Sequence, residues 1–310
     1  MAKTHRYSEI FYSFQGEAEM AGKPTVWLRF FGCNLECNGF GQDKPMEPDT
    51  HILPYKDFDL SNVEKLEDLP VWNYGCDSSY SWSAKYKKLV HNDTVEDIVT
   101  KLTDLMKSES NPHGEFIHPV TNQDTQLAFT GGEPMLNQQA MIDIVKEFEK
   151  RFNKPRCITV ETNATKPISP ELKTFIEEEY VSEWGYRWHW AMSPKLFSVS
   201  GEKDAVIADR IKEYMTTQGC SGIIKFVANG TKDCWDEIEF YQYNIYEFFK
   251  EDAMYPPEMW IMPVGATKDQ QELPTVADIA MDAMKKGYNV ATRNHCYVFG
   301  NVIGLSLIHI

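Results

Sequence analysis

Two cysteines four apart frame "CNLEC" (33–37), and another opens "CDSSYSW" (76–82). Thiolates so spaced ligate iron–sulfur clusters, and a four-iron cluster normally takes four of them. A set of three would leave one iron open to a small molecule. The run is interrupted, because Phe40 stands where a CxxxCxxC signature puts its third cysteine. Cutting out residues 38–75 would bring Cys33, Cys37 and Cys76 to nearly that spacing. The plain alternative is that Cys33 and Cys37 merely end a strand. Cys157 reads as a buried strand residue, and Cys220, Cys234 and Cys296 have no partner at ligand spacing.

Other residues suit the handling of a polar small molecule. In "TGGEP" (130–134) Gly131 and Gly132 lack Cβ atoms and let backbone approach a ligand, or simply make a tight turn. Arg29, inside the apolar run "VWLRFFG", would be costly to bury without an anion and can grip a carboxylate bidentately. A surface salt bridge is its ordinary alternative.

Alternating short apolar runs and amphipathic stretches must position these groups. Strands are expected at 25–33, 125–134, 157–163, 188–194, 222–230, 259–265 and 288–294. Helices are expected at 94–106 with Thr94 as N-cap, 137–152 capped by Asn137, 169–180, 204–215, near 233–249 and near 275–286. Buried strands alternating with helices predict an α/β fold with a parallel sheet. Six or so units are too few for a full eight-fold barrel, so a partial (open) TIM-like barrel is expected. Residues 38–75, rich in Pro and Asp, read as an inserted surface excursion, and 107–124 as a polar connection.

The 310 residues carry a net charge of −15, and no Lys/Arg run is long enough to track phosphates, which argues against direct nucleic-acid binding. A small-molecule substrate fits better. "MAKTHRYSEIFYSF" lacks the apolar core of a signal peptide, and no run reaches the ~18 apolar residues of a membrane span. A cytoplasmic protein is expected, and seven cysteines there favour ligation over disulfides.

In order along the chain, these segments resemble the radical S-adenosylmethionine (SAM) enzymes, and among them the 7-carboxy-7-deazaguanine synthase family. "FYSFQGEAEMAGKPTVWLRFFGCNLEC" is similar to that family's opening, and "CDSSYSW" to its third-cysteine segment. "TGGEP", "ETNAT" (161–165), "SPK" (193–195), "IIKFV" (223–227) and "TRNHCYVFGNVIG" (292–304) follow in the family's order. The resemblance runs from residue 7 to 304 and leaves 38–75 uncovered. It implies one radical SAM domain over 1–304 of the partial-barrel type.

The same resemblance implies a [4Fe–4S] cluster on Cys33, Cys37 and Cys76, and SAM held by Gly131, Gly132, Glu133, Asn163, Ser193 and Lys195. Ser78 stands where the family has a Mg²⁺-ligating Thr; the hydroxyl is kept and a methyl lost. The implied substrate is 6-carboxy-5,6,7,8-tetrahydropterin, met by Gln15, Glu17, Arg29, Thr130 and His295, with Arg293 a further candidate. His295 could equally be a satisfied core histidine. The implied reaction is hydrogen abstraction and ring contraction with loss of ammonia, giving 7-carboxy-7-deazaguanine for a queuosine-type pathway. A reductant protein such as a flavodoxin and a homodimer are implied too. Departures are the insertion itself, Gly75 (beside Tyr74) where an aromatic residue commonly precedes the third cysteine, and "LSLIHI" (305–310), which reads as a non-native tail. Two alternatives share parts of the pattern: an activase that installs glycyl radicals, and a non-catalytic regulator binding a protein through the acidic insertion.

Overall fold

The structure is a computed structural model and describes residues 3–252 and 254–300. One nine-stranded sheet organises them: β1 (Thr4–Phe14), β2 (Pro24–Phe30), β3 (His91–Thr94), β4 (Gln126–Gly131), β5 (Cys157–Thr162), β6 (Arg187–Met192), β7 (Cys220–Ala228), β8 (Glu258–Pro263) and β9 (Asn289–Val290). The spatial order is β3-β1-β2-β4-β5-β6-β7-β8-β9. From β2 to β9 every neighbouring pair is parallel, whereas β1 lies antiparallel between β2 and β3. The sheet does not close: β3 and β9 remain its two edges. This is the open, partial barrel expected from the alternation.

Side chains on each strand point to opposite faces in turn, so a buried strand carries two distinct sets. One set, including Val26, Leu28, Phe30, Leu127, Phe129, Val160, Trp188, Trp190, Ile224 and Phe226, joins the main core with the helices. These helices are α1 (Val95–Leu105), α2 (Gln138–Lys150), α3 (Pro170–Thr174), α4 (Ala208–Thr216), α5 (Lys232–Lys250) and α6 (Pro274–Lys285); α7 (Asn294–Phe299) follows β9. The other set faces the barrel interior. It is polar at the N-terminal ends of the strands: Gln126 Nε2 donates to Thr25 Oγ1 at 2.7 Å, and Thr159 Oγ1 to Gln126 Oε1 at 3.0 Å.

Several local expectations change. Thr94 caps α1 as expected, its hydroxyl accepting from Asp97 N at 3.2 Å. Asn137 makes no such cap. The chain turns earlier, because Pro134 starts a 3₁₀ turn that Glu133 caps through Met135 N at 3.0 Å, and this turn runs straight into α2. The 169–180 helix is α-helical only to Thr174 and continues as π turns over Phe175–Glu183. The strand expected at 288–294 shrinks to two residues and gives way to α7. β1 and β3 were not expected at all. Asn301 of the family-like ending and the 305–310 tail lie outside the described residues.

The 38–75 excursion is more than surface loop. Tyr55, Val63, Leu66, Leu69 and Trp72 bury together with Tyr80 and Tyr86 in a second hydrophobic cluster.

Candidate active site

The C-terminal ends of β2 and β4 to β8 surround a cavity of about 440 Å³. Such strand ends are where barrel folds carry their chemistry. Cys33, Cys37 and Cys76 all line it. The way Cys76 returns answers the interrupted spacing: Gly75 N donates to Phe40 O at 2.8 Å, so the excursion is pinched shut at its base. Cys37 adopts the left-handed conformation (φ +53°), and its N–H and that of Glu36 both reach Glu202 Oε1, at 2.6 and 2.8 Å. Burial pushes the Cys33 thiol up to about 11 and the Cys76 thiol up to about 12, and Cys37 well above its ordinary value. Cys37 is buried and Cys33 and Cys76 are half-buried, and a metal group bound to them would have to displace their protons.

Gly132 shows why the turn after β4 needs glycine. A Cβ there would stand 2.5 Å from Gly32 O and 2.7 Å from Cys33 Cβ. Glu133 N donates to Gly32 O at 2.8 Å, locking the glycine turn against the cysteine loop. Gly131, Gly132, Asn163, Ser193 and Lys195 line the cavity beside the thiols. Lys195 Nζ donates to Ser193 Oγ at 3.0 Å and lies 6.0 Å from the Phe40 ring centroid. Glu133 behaves differently from this group. Its carboxylate is fully buried behind the turn, accepting from Asn163 N and Thr162 Oγ1, both at 2.7 Å. It fixes the end of β5.

A set of charged side chains forms the cavity floor. Glu17, Arg29, Glu161, Lys225, Asp77 and Arg293 all reach it. Lys225 bridges Glu17 and Glu161, the latter at 3.2 Å. Arg293 ties three loops together, its Nε to Glu17 at 3.1 Å, Nη2 to Asp77 at 3.0 Å and Nη1 to Gly265 O at 2.8 Å. Burial alone would raise the Glu17 carboxyl, but Lys225 and Arg293 hold it well below the usual carboxylate range. Asp77 is likewise held down by Arg293 against its burial.

Arg29 has an internal anion. Its Nε donates to Glu9 Oε1 at 2.6 Å, and Tyr80 Oη donates to the same oxygen at 2.9 Å. A register shift between Tyr7 and Glu9 puts Glu9 opposite Arg29. Thr130 stands opposite Arg29 on the other side, on β4. Among the described residues only the Nε of Arg29 is hydrogen-bonded, which leaves its terminal nitrogens for a ligand. Ser78 lines the cavity and its hydroxyl donates to Asp77 Oδ1 at 3.1 Å. Among the described residues no group of three His, Cys, Asp or Glu is placed to hold a metal ion.

Two expected contacts sit one layer back. Gln15 donates from Nε2 to Glu161 Oε1 at 2.8 Å and accepts from Glu17 N at 3.1 Å, so it props one floor carboxylate and the backbone of the other without lining the cavity. His295 packs on Gly16, and burial, then Arg293, lowers it to about 4, leaving it neutral. Sequence reading missed Glu9, Asp77, Glu161 and Lys225. The signal that marked Arg29 would have found two of them, since Glu161 and Lys225 are also charges inside apolar strand runs.

The arrangement is that of an open βα barrel with three cysteines and a charged floor lining one cavity, and comparison with known proteins adds to it. A family profile described as "4Fe-4S single cluster domain" matches residues 73–182, which include Cys76. Curated relatives sharpen this. The 7-carboxy-7-deazaguanine synthase of Nitratidesulfovibrio vulgaris is 28% identical over 163 residues, covering 52% of this chain and 56% of the relative. That of Halobacterium salinarum is 25% identical over 159 residues, 51% of this chain and 38% of the relative. That of Bacteroides thetaiotaomicron is 54% identical over 33 residues, 11% of this chain and 18% of the relative. The chain thus spans about half the length or less of the curated relatives it matches. The crystal structure of QueE from Escherichia coli shares the fold, with a TM-score of 0.51 and 14% identity over 94% of this chain and 95% of that one.

Proposed function

We propose that the chain is a radical SAM enzyme, a carbon–nitrogen lyase converting 6-carboxy-5,6,7,8-tetrahydropterin to 7-carboxy-7-deazaguanine in 7-deazapurine biosynthesis. The observation that carries the reading is one cavity with three thiols at its rim and an organised charged floor. Cys33, Cys37 and Cys76 would hold the [4Fe–4S] cluster, while Gly131, Gly132, Asn163, Ser193 and Lys195 would seat SAM. The cluster and SAM, when bound, would supply the one-electron chemistry for hydrogen abstraction from the substrate. Arg29 would take the substrate carboxylate through its free terminal nitrogens. Glu17, oriented by Lys225, Arg293 and Gln15, offers a charged acceptor to the N–H edge of a pterin. Thr130 adds a hydroxyl beside Arg29, and His295 supports the floor from behind Gly16. Ser78 and Asp77 are adjacent hard oxygen donors at which Mg²⁺ could bind with substrate and water.

The same reading takes residues 1–304 as one radical SAM domain interrupted at 38–75. It also includes a cytoplasmic homodimer reduced by a flavodoxin-type protein. No helix among the described residues is long and apolar enough to cross a membrane. The test is anaerobic reconstitution with iron and sulfide, then SAM, Mg²⁺, reductant and the carboxylated pterin, with product read by mass spectrometry. Formation of 7-carboxy-7-deazaguanine by the wild type but not by Cys76→Ala is expected. SAM cleavage with the pterin left intact would discard the substrate, and failure to take up a cluster would discard the enzyme class.

A further inference from the structure

The loop that follows β6 carries more than Ser193 and Lys195. It passes through a short helix, Phe197–Ser200, and then meets the cysteine loop. At its start this helix is tied to α5, where Glu237 accepts from Phe197 N at 2.8 Å and from Ser198 N at 2.9 Å. It ends at Gly201 in the left-handed conformation (φ +76°), where a Cβ would stand 2.7 Å from Pro45 O. Ser200 is buried; its hydroxyl donates to Leu196 O at 2.6 Å and accepts from Glu202 N at 3.1 Å. Glu202 therefore leaves a fixed turn.

Its carboxylate is turned onto the cysteine loop. Oε1 accepts from both Cys37 N and Glu36 N, and among the described residues no cation pairs with it. One turn further, Gly39 N donates to Ser200 O at 2.8 Å, and a Cβ on Gly39 would lie 2.6 Å from Ser200 C. Three amides within residues 36–39 are thus held by one turn of chain. Cys37 is a side-chain-bearing residue in the left-handed region (φ +53°), a conformation that persists where the surroundings impose it. The short bond from its own N–H to a carboxylate is such an imposition.

We propose that Glu202 is a positioning residue of the cluster loop, which sets the Cys37 backbone and places a negative charge beside that thiolate to lower the cluster's reduction potential. The inference rests on the cluster reading above and adds a residue to it. Net charge and hydrogen bonds to the ligand sulfurs set such potentials. A carboxylate there opposes entry of one electron from an external reductant, so the electron, once taken up, is more strongly reducing. Binding the two amides also denies them to the sulfurs, which acts in the same direction.

The test compares cluster-loaded wild type, Glu202→Gln and Glu202→Ala by redox titration followed in the electron paramagnetic resonance spectrum, and by the rate at which a chelator removes iron. Glu202→Gln keeps an acceptor and loses the charge. Its reduction equilibrium should shift about tenfold towards the reduced cluster, a rise of about 59 mV for one electron, at wild-type iron content. Glu202→Ala should rise at least as far and lose iron several-fold faster, with an unchanged circular-dichroism spectrum reporting an intact fold. A wild-type potential in Glu202→Gln, the result of a carboxylate that only braces the loop, overturns the charge role. A wild-type rate of iron loss in Glu202→Ala overturns the anchoring role. A wild type that takes up no cluster defeats the functional reading itself, which separates the two failures.

Discussion

At the scale of single residues, the charged floor dictates the sharpest expectations. Glu9 orients Arg29 through one short bond, so Glu9→Gln, which keeps an acceptor, should leave the KM for the carboxylated pterin within a few-fold of wild type. Glu9→Ala should raise that KM tenfold or more while SAM cleavage without substrate is unchanged; equal effects of both variants would remove the positioning role. Lys225→Met takes the cation from Glu161 and leaves Glu17 with Arg293 alone, and should cost about 3 kcal/mol in a urea titration at neutral pH. The cost should shrink in acid. In the wild type Glu17 has a depressed pKa, so its contribution is present above the ordinary carboxylate range and lost as pH falls through it. The histidines give a separate pH signature. His189 and His295 are both held near 4 by burial, below the ordinary 6.5. The unfolded chain therefore protonates first, and stability should fall as pH drops from about 6.5 towards 4, by at most about 3 kcal/mol per histidine. A urea midpoint that stays flat across that window would contradict the burial of both.

At the scale of elements, the sequence was readable where one signal dominated. Apolar runs such as "TVWLRFF" and "GIIKFVA" became β2 and β7, and the Thr94 cap sits where its hydroxyl should. Strand β1 was missed because "THRYSEIFYSF" mixes tyrosines, serines and charges; its buried positions emerge only once β2 and β3 flank it. Asn137 misled because cap preference is local, whereas Pro134 had already turned the chain three residues earlier. The two asparagine- and threonine-type expectations can be separated by melting: Thr94→Ala should cost about 1 kcal/mol. Asn137→Ala should cost little or stabilise, since its Nδ2 is buried without a partner. The candidate site divides the same way. Thiols, glycine turn and Arg29 carried signals in one stretch of chain. The Glu9 partnership did not, since it depends on a register shift in a strand that could not be seen.

At the scale of the whole molecule, the half-open sheet and the pinched excursion belong together. β1 and β2 lie before the excursion, β3 and β4 after it, and the sheet interleaves them: β1 pairs with β3 and β2 with β4. A protease cut within 42–70 would therefore yield two pieces that still share one sheet. Cys33 and Cys37 stay on the first piece and Cys76 on the second. Iron bound across all three would then act as a clasp between fragments, as a disulfide does in a secreted protein, cutting the entropy their separation could gain. The nicked protein should co-elute as one species and resist urea better with its cluster than without. In such a chain the metal would be a fastening as well as a reagent.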